Sequence, residues 1–335
     1  MNSTYSNNEN LILSIALAEI SFLTFLEKNI LRKNIDSLST LSMLSIQDIS
    51  RIVNRDITRS SWNGKKSLAA AKKSAKILDS FGITLIPYES ENYPALLKEI
   101  VNPPYALFCR GNISSLLECT VSVVGTRKMT LNGKKGARTF SEDACKDGLV
   151  VVSGLAVGID AEAHRGTLEY GKTIAVLPCG CDMIVPSIHK VLAKKIIEAG
   201  GALISEYIPG TPSTAWRFVH RNRVIAALSP STVVVEAPVG SGALHTAQFA
   251  LDYNRDVFFH KAAFEDAAIS VSKKVQSRLE ISSSMRNTSS AKLKNTAERY
   301  ILEGAPIIKD YADFVESRLS SPGTRLSIAK QGILL

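Results

Sequence analysis

Three short stretches place glycine where backbone amides can close on an anion. They are Gly125-Thr126-Arg127 after Ser122-Val123-Val124, Ser153-Gly154-Leu155-Ala156-Val157-Gly158 after Leu149–Val152, and Ala237-Pro238-Val239-Gly240-Ser241-Gly242 after Thr232–Glu236. Without a Cβ, glycine lets N–H groups approach a phosphate closely, and a helix that begins behind the turn adds a favourable dipole. A fourth stretch, 205–229, gathers Arg217, Arg221 and Arg223 with Trp216, Phe218, His220 and Asn222, read here as a loop that runs into a helix. Guanidiniums beside aromatic rings suit a single nucleic-acid strand, the charges meeting phosphates and the rings stacking with bases. One of these arginines has a structural alternative, as a loop clamp on Glu206 or Glu236.

Several chemistries lack their residues. The GxxxxGK[ST] phosphate loop is absent, and Gly154–Gly158 has neither the third glycine nor the later acidic residue of a dinucleotide fingerprint, so neither ATP nor NAD is expected as a cofactor. No H-E-x-x-H or acidic metal cluster appears, and no metal is expected. Ser153 and His164 do not make a nucleophile elbow with a third partner. Asp160 and His164, spaced i and i+4, are expected to pair at a helix start. The five cysteines, 109, 119, 145, 179 and 181, suggest reduced core thiols rather than a disulfide framework.

These stretches need a scaffold that brings them to one edge. Strand-like runs at Val121–Val124, Leu149–Val152, Thr173–Leu177, Ala202–Ser205, Thr232–Glu236 and Asp256–Phe259 alternate with helical patterns, which predicts an α/β fold. The expected form is an extended Rossmann-like, mostly parallel sheet with helices on both faces, preceded by a small all-helical N-terminal domain. The turns should then share the carboxyl edge, where open sheets bind ligands. The expected boundaries are a helical domain at 1–82, an extended connector at 83–119, and the Rossmann-like domain at 120–318 with a mobile polar insertion at 265–294. A tail follows at 319–335. The start MNSTYSNNEN lacks a basic leader and Glu19 interrupts the apolar stretch Leu11–Leu26, so a cytoplasmic protein without a membrane span is expected. A formal net charge of +9 over 335 residues is compatible with a polyanionic partner.

Taken in order, the stretches resemble the DprA/Smf family over 83–315. The matching segments include the YP…L…I…PP…LF…G connector at 93–111, GTR at 125–127, SGLAVGIDAEAHRG at 153–166 and GKTIAVLPCGCD at 171–182. SEYIPGTP at 205–212, RNRVIAALS at 221–229, VVVEA at 233–237, SGALHTA at 241–247 and NTAERYILEGA at 295–305 complete the series. The resemblance implies a protein that binds and protects single-stranded DNA and loads RecA recombinase onto it in natural transformation, typically as a homodimer, and the missing catalytic residues predict that it does so without enzymatic turnover. By position it implies a DNA pocket of Arg127, Gly154, Phe218, Arg221, Asn222, Arg223, Ser241 and Gly242, to which the residue reading adds Lys128, Lys134 and Arg217. The chain departs from the family pattern at Val157 and Gly240, where an arginine and a lysine are usual, and at His260-Lys261-Ala262; Lys128, Lys134, Lys135 and Lys261 are candidate substitutes. No winged-helix domain is expected after residue 316. Two rivals remain. One is a phosphoribohydrolase-type nucleotide enzyme, in which Thr246 stands where the catalytic glutamate should fall and Glu236, Asp160 and His164 are the spare candidates; the other is a degenerate scaffold that binds nothing.

Overall fold

The computed structural model describes residues 2–285 and 291–320. Five helices come first: α1 (Asn2–Glu19), α2 (Phe25–Lys33), α3 (Leu38–Met43), α4 (Ile46–Val53) and α5 (Gly64–Phe81). Side-chain caps fix several of their starts. Thr24 and Ser45 each form a reciprocal box with the acidic residue three positions on, and Asn63 accepts from the Lys66 amide. Their apolar stripes, including Ile15, Leu31, Leu41, Ile49 and Leu78, merge with Phe108, Leu177, Leu203 and Ile208 in one continuous core, so the helices are fused to the sheet.

The segment expected as an extended connector contributes β1 (Ile83–Pro87), α6 (Ala95–Lys98) and β2 (Ala106–Gly111), and its two strands lengthen the sheet at one side. The α/β part follows as β3 (Thr120–Val124), α7 (Leu131–Lys146), β4 (Val150–Ser153), α8 (Ile159–Thr167), β5 (Thr173–Val176), α9 (Lys190–Glu198) and β6 (Ala202–Ser205). Then come α10 (Ala215–Ala227), β7 (Ser231–Val234), α11 (Gly242–Asp252), β8 (Asp256–His260), α12 (Asp266–Met285), α13 (Ala297–Leu302), β9 (Ile307–Ile308) and α14 (Tyr311–Ser320). The described strands form one sheet in the order β1-β2-β6-β5-β4-β3-β7-β8-β9, antiparallel at β1-β2-β6 and parallel elsewhere. Its central strands are β-branched and buried on both faces, as helices on both sides require. Helices α10 and α11 pack on one face with Val124, Val152 and Val234, while α7, α8 and α14 pack on the other with Val123, Val151 and Val233.

Two stretches differ from their sequence expectation. Ser-rich 265–294, expected as a mobile polar insertion, is helical where it is described: α12 fills most of it and Ala291–Lys294 forms a further helical turn. Ala268, Ser272, Val275, Leu279 and Ser282 recur at spacings of three and four and are partly buried, as are Ile269 and Val271 in the first turns, so the helix carries a weak amphipathic stripe diluted by its serines. Residues 286–290 lie outside the described residues. At the other end, Leu319 and Ser320 close α14 rather than opening a tail, and 321–335 lie outside the described residues. Among the described residues, no helix is long and apolar enough to cross a membrane.

Candidate functional site

The strand order reverses between β3 and β7. Chain progress from β3 runs through β4 to β6 on one side and to β7 and β8 on the other, so the turns behind β3 and β7 diverge and leave a crevice at the carboxyl edge. The three glycine turns meet there. The Thr126 amide donates to Glu236 O at 2.7 Å, the Ile159 amide to Thr126 O at 3.1 Å, and the Val235 amide to Val124 O at 3.0 Å. Gly158 has φ +88°, and a Cβ there would collide with Thr126 O and come within 2.8 Å of the Arg127 backbone. The second turn is thus held against the first by a glycine that no other residue replaces without displacement. Leu155, buried with φ +57°, carries a further strained conformation in the same turn.

Together they line a cavity of about 750 Å³ with Arg127, Asp160, Phe218, Arg221, Asn222, Ser241, Gly242, His245, Thr246 and Lys292. The Arg127 guanidinium is exposed and lies 5.2 Å from the Phe218 ring centre, which makes a cationic and aromatic lip. Opposite stands the start of α11, whose first amides have no partner within the helix. The N-cap residue Ser241 makes no capping bond, and its buried hydroxyl has no hydrogen-bond partner among the described residues. Orphan donors, a helix dipole and a free guanidinium on one concavity suit an anion.

The arginine cluster is not a loop. Thr214 is the N-cap of a 13-residue helix, so residues 216–223 are α10 and their side chains fan out around it. Pro212 followed by Ser213 and Thr214 is the start signal that the reading as a loop missed. Arg221, 3% exposed, forms the cavity floor: Nη1 donates to Gly154 O at 2.7 Å and to Val176 O, and Nε to Asn222 Oδ1 at 3.2 Å. Burial pushes its guanidinium down to about 10. Asn222 in turn donates to Gly242 O at 3.1 Å, tying α10 to the third turn. Arg217 and Arg223 do not reach this cavity. Arg223 is buried in an ion pair with Glu206, the clamp foreseen as the structural alternative, and donates to Asn102 O at 2.9 Å. Arg217 lies on the same far side of α10, donating to Pro212 O at 2.5 Å.

Lys128 and Lys134 also stand apart from it. Lys128 lines a small neighbouring cleft against α12, and Lys134 is exposed on α7. Val157 is partly exposed without a charge, whereas Gly240 abuts Lys292, whose Cβ is 2.9 Å from where a Cβ on residue 240 would sit. Lys292 was not foreseen, because a lone lysine in a polar stretch carries no spacing signal.

The candidates for acid-base chemistry are occupied. Glu236 accepts from Thr130 N at 2.9 Å and from the Thr130 hydroxyl, which fixes the start of α7; burial raises its carboxyl above the usual range. Asp160 and His164 do not pair as expected. Asp160 accepts from the Ala156 amide at 3.4 Å, while His164 Nδ1 meets Thr173 Oγ1 at 2.7 Å in the core, where burial holds the imidazole near 3. Ser153 donates to Val123 O at 2.6 Å and faces no base. Among the described residues no cluster of His, Cys, Asp and Glu could hold a metal ion.

The fold and site define a doubly wound α/β protein with a glycine-lined cavity at its switch point. The family model described as DNA recombination-mediator protein A matches residues 84–316, more than half of the chain, and the chain belongs to this DNA-processing family. It is 42% identical to Protein Smf of Escherichia coli over 175 residues, 52% of this chain and 47% of that one. It is 38% identical to DNA processing protein DprA of Bacillus subtilis over 179 residues, 53% of this chain and 60% of that one. The chain thus spans about half the length of the curated relatives it matches, 47% and 60% in these two. The X-ray structure of DNA processing protein A from Streptococcus pneumoniae is 28% identical and superposes with a TM-score of 0.64, covering 91% of this chain and 95% of that one.

Proposed function

We propose that the chain binds single-stranded DNA in the switch-point cavity, protects it and hands it to a RecA-type recombinase, as a homodimer in the cytoplasm. The observation that carries the reading is the convergence of three glycine turns with the Arg127–Phe218 lip on one cavity. A flexible strand offers phosphates to the amides and to Arg127, and a base to Phe218, without any demand for sequence readout. Arg127, Ser241, Gly242 and Phe218 are the contact residues, while Gly154, Arg221 and Asn222 position them. Lys292 supplies a cation beside Gly240. Lys128 and Lys134 belong to the approach rather than the cavity. The recombinase step rests on membership of a family described by recombination mediation, the homodimer on the family resemblance, and the cytoplasm on five free thiols that suit a reducing compartment.

Arg127→Ala should weaken binding to single strands of every base composition alike and flatten the dependence of log affinity on log salt by about one unit. A loss confined to one base composition would sink the positioning role. In the same preparation, RecA filament assembly on the strand should be hastened by the unsubstituted chain and not by the variant. Binding here proceeds without turnover, since Glu236, Asp160 and His164 are all engaged in structure. Release of base from AMP that disappears in Glu236→Gln would overturn that reading.

A further inference from the structure

Helix α10 separates two cavities. Phe218, Arg221 and Asn222 line the first, whereas Trp216, Arg217, His220 and Arg223 line a second of about 610 Å³, closed on its far side by Lys28 of α2 and Lys73 of α5. The two adjoin at the start of α10, where Thr211 and Pro212 face the second cavity and Ser213, Thr214 and Ala215 face the first.

Trp216 is 52% exposed, yet it is held in place: Tyr207 stands edge-on at 6.2 Å, His220 at 5.5 Å, and the Arg217 guanidinium lies 5.3 Å from the indole centre. A large ring left half in solvent but fixed by its neighbours is a platform for a flat partner. The charges favour an anion beside it. Glu206 is taken up by Arg223 and lies 3.3 Å from His220, and Glu19 accepts from Ser67 at 2.8 Å. Lys28 is 8% exposed and its ammonium, with three N–H groups, donates to Ala18 O at 3.0 Å and rests 5.9 Å from the Tyr105 ring centre. The buried Nε of Arg217 has no hydrogen-bond partner among the described residues. Lys73 is exposed at the mouth.

We infer that this cleft is a second subsite for the same strand. A nucleotide beyond those in the first cavity crosses the start of α10, stacks its base on Trp216 and sets its phosphate against Arg217 and Lys73, with Lys28 supplying positive charge from the floor. The inference rests on the single-strand reading of the first cavity, and its test separates the two.

The chain has two tryptophans, so Trp62→Phe leaves Trp216 as the sole indole reporter. Oligothymidylates from about 4 to about 16 nucleotides, the span of single-strand grooves of this kind, and free thymidine monophosphate are titrated into it, with binding also followed by anisotropy of a labelled strand. Trp216 fluorescence should be quenched only by the longer oligonucleotides. Trp216→Ala should cost the longer strands on the order of tenfold in affinity and leave the shortest unchanged, Trp216→Phe should recover most of that loss, and Lys73→Ala should weaken long strands alone. Arg127→Ala, in contrast, should weaken every length. If the shortest strands bind but Trp216→Ala has the same small effect at all lengths, or if the monophosphate quenches as strongly as the longest strand, the second subsite is wrong while the first stands. Failure of every length to bind would remove both.

Discussion

An arginine taken out of water must find acceptors in the protein, and Arg221 and Arg223 find them in different ways. Arg221 spends its donors on carbonyls and so binds the second turn to the sheet, whereas Arg223 meets a buried carboxylate. Sequence reading named both as ligands because spacing reports composition and not direction; the Glu206 alternative was visible only as a possibility of charge. Removing one partner of a buried pair strands the other, so Arg223→Ala should cost about 3 kcal/mol or more in denaturant unfolding. Arg217→Ala, on the rim, should change stability little. His164 gives a pH signature. Its folded value near 3 lies below the ordinary 6.5, so the unfolded chain takes up the proton first as acid is added. The stability it contributes is complete above 6.5 and falls as pH drops towards 3, by up to about 1.4 kcal/mol per pH unit. The slope of unfolding free energy between those limits should flatten in His164→Gln; an unchanged slope would refute the assignment.

At the level of elements, buried parallel strands were legible because they are short β-branched runs, and the observed bounds differ by a residue or two from those expected. The glycine turns were legible for the same reason, each following such a run. Helix α12 was hidden because serine and lysine dilute the apolar side that Ala268, Ile269, Val271, Val275 and Leu279 make, and β1 and β2 were hidden by the prolines around them. The turns carry the testable consequence. Gly148 and Gly158 share positive φ, +82° and +88°, but nothing lies within 4 Å of a Cβ on Gly148. Gly148→Ala should therefore cost only the backbone term, about 1 kcal/mol. Gly158→Ala must also push the Thr126–Arg127 backbone aside, so it should cost more and should weaken single-strand binding, which Gly148→Ala leaves intact. Equal stability losses with unaltered binding would show that the second turn does not buttress the first.

At the scale of the molecule, composition suggested an accessory helical domain, but no sequence signal says whether such a domain keeps its own core. The structure joins the two parts through apolar contact and through polar bonds: Ser74 donates to Pro209 O at 2.7 Å, and the Phe25 amide to Asn102 Oδ1 at 2.8 Å. Unfolding α1–α5 alone would leave Phe108, Leu177, Leu203 and Ile208 with exposed flanks and free these bonds, so separate melting of the helices is costly. The chain should unfold in one cooperative step. Its two tryptophans sit on either side of the junction, Trp62 before α5 and Trp216 on α10, and each can be followed alone in the phenylalanine variant of the other. Leu78→Ala, which removes a buried side chain of α5 from the shared core, should destabilise by about 2–5 kcal/mol. The decisive observation is the agreement of the reporters: both should move to lower denaturant together and by the same amount. If the Trp62 transition shifts ahead of an unmoved Trp216 transition, the helices form an independent unit, and the cleft between them is then a junction between separately folding bodies.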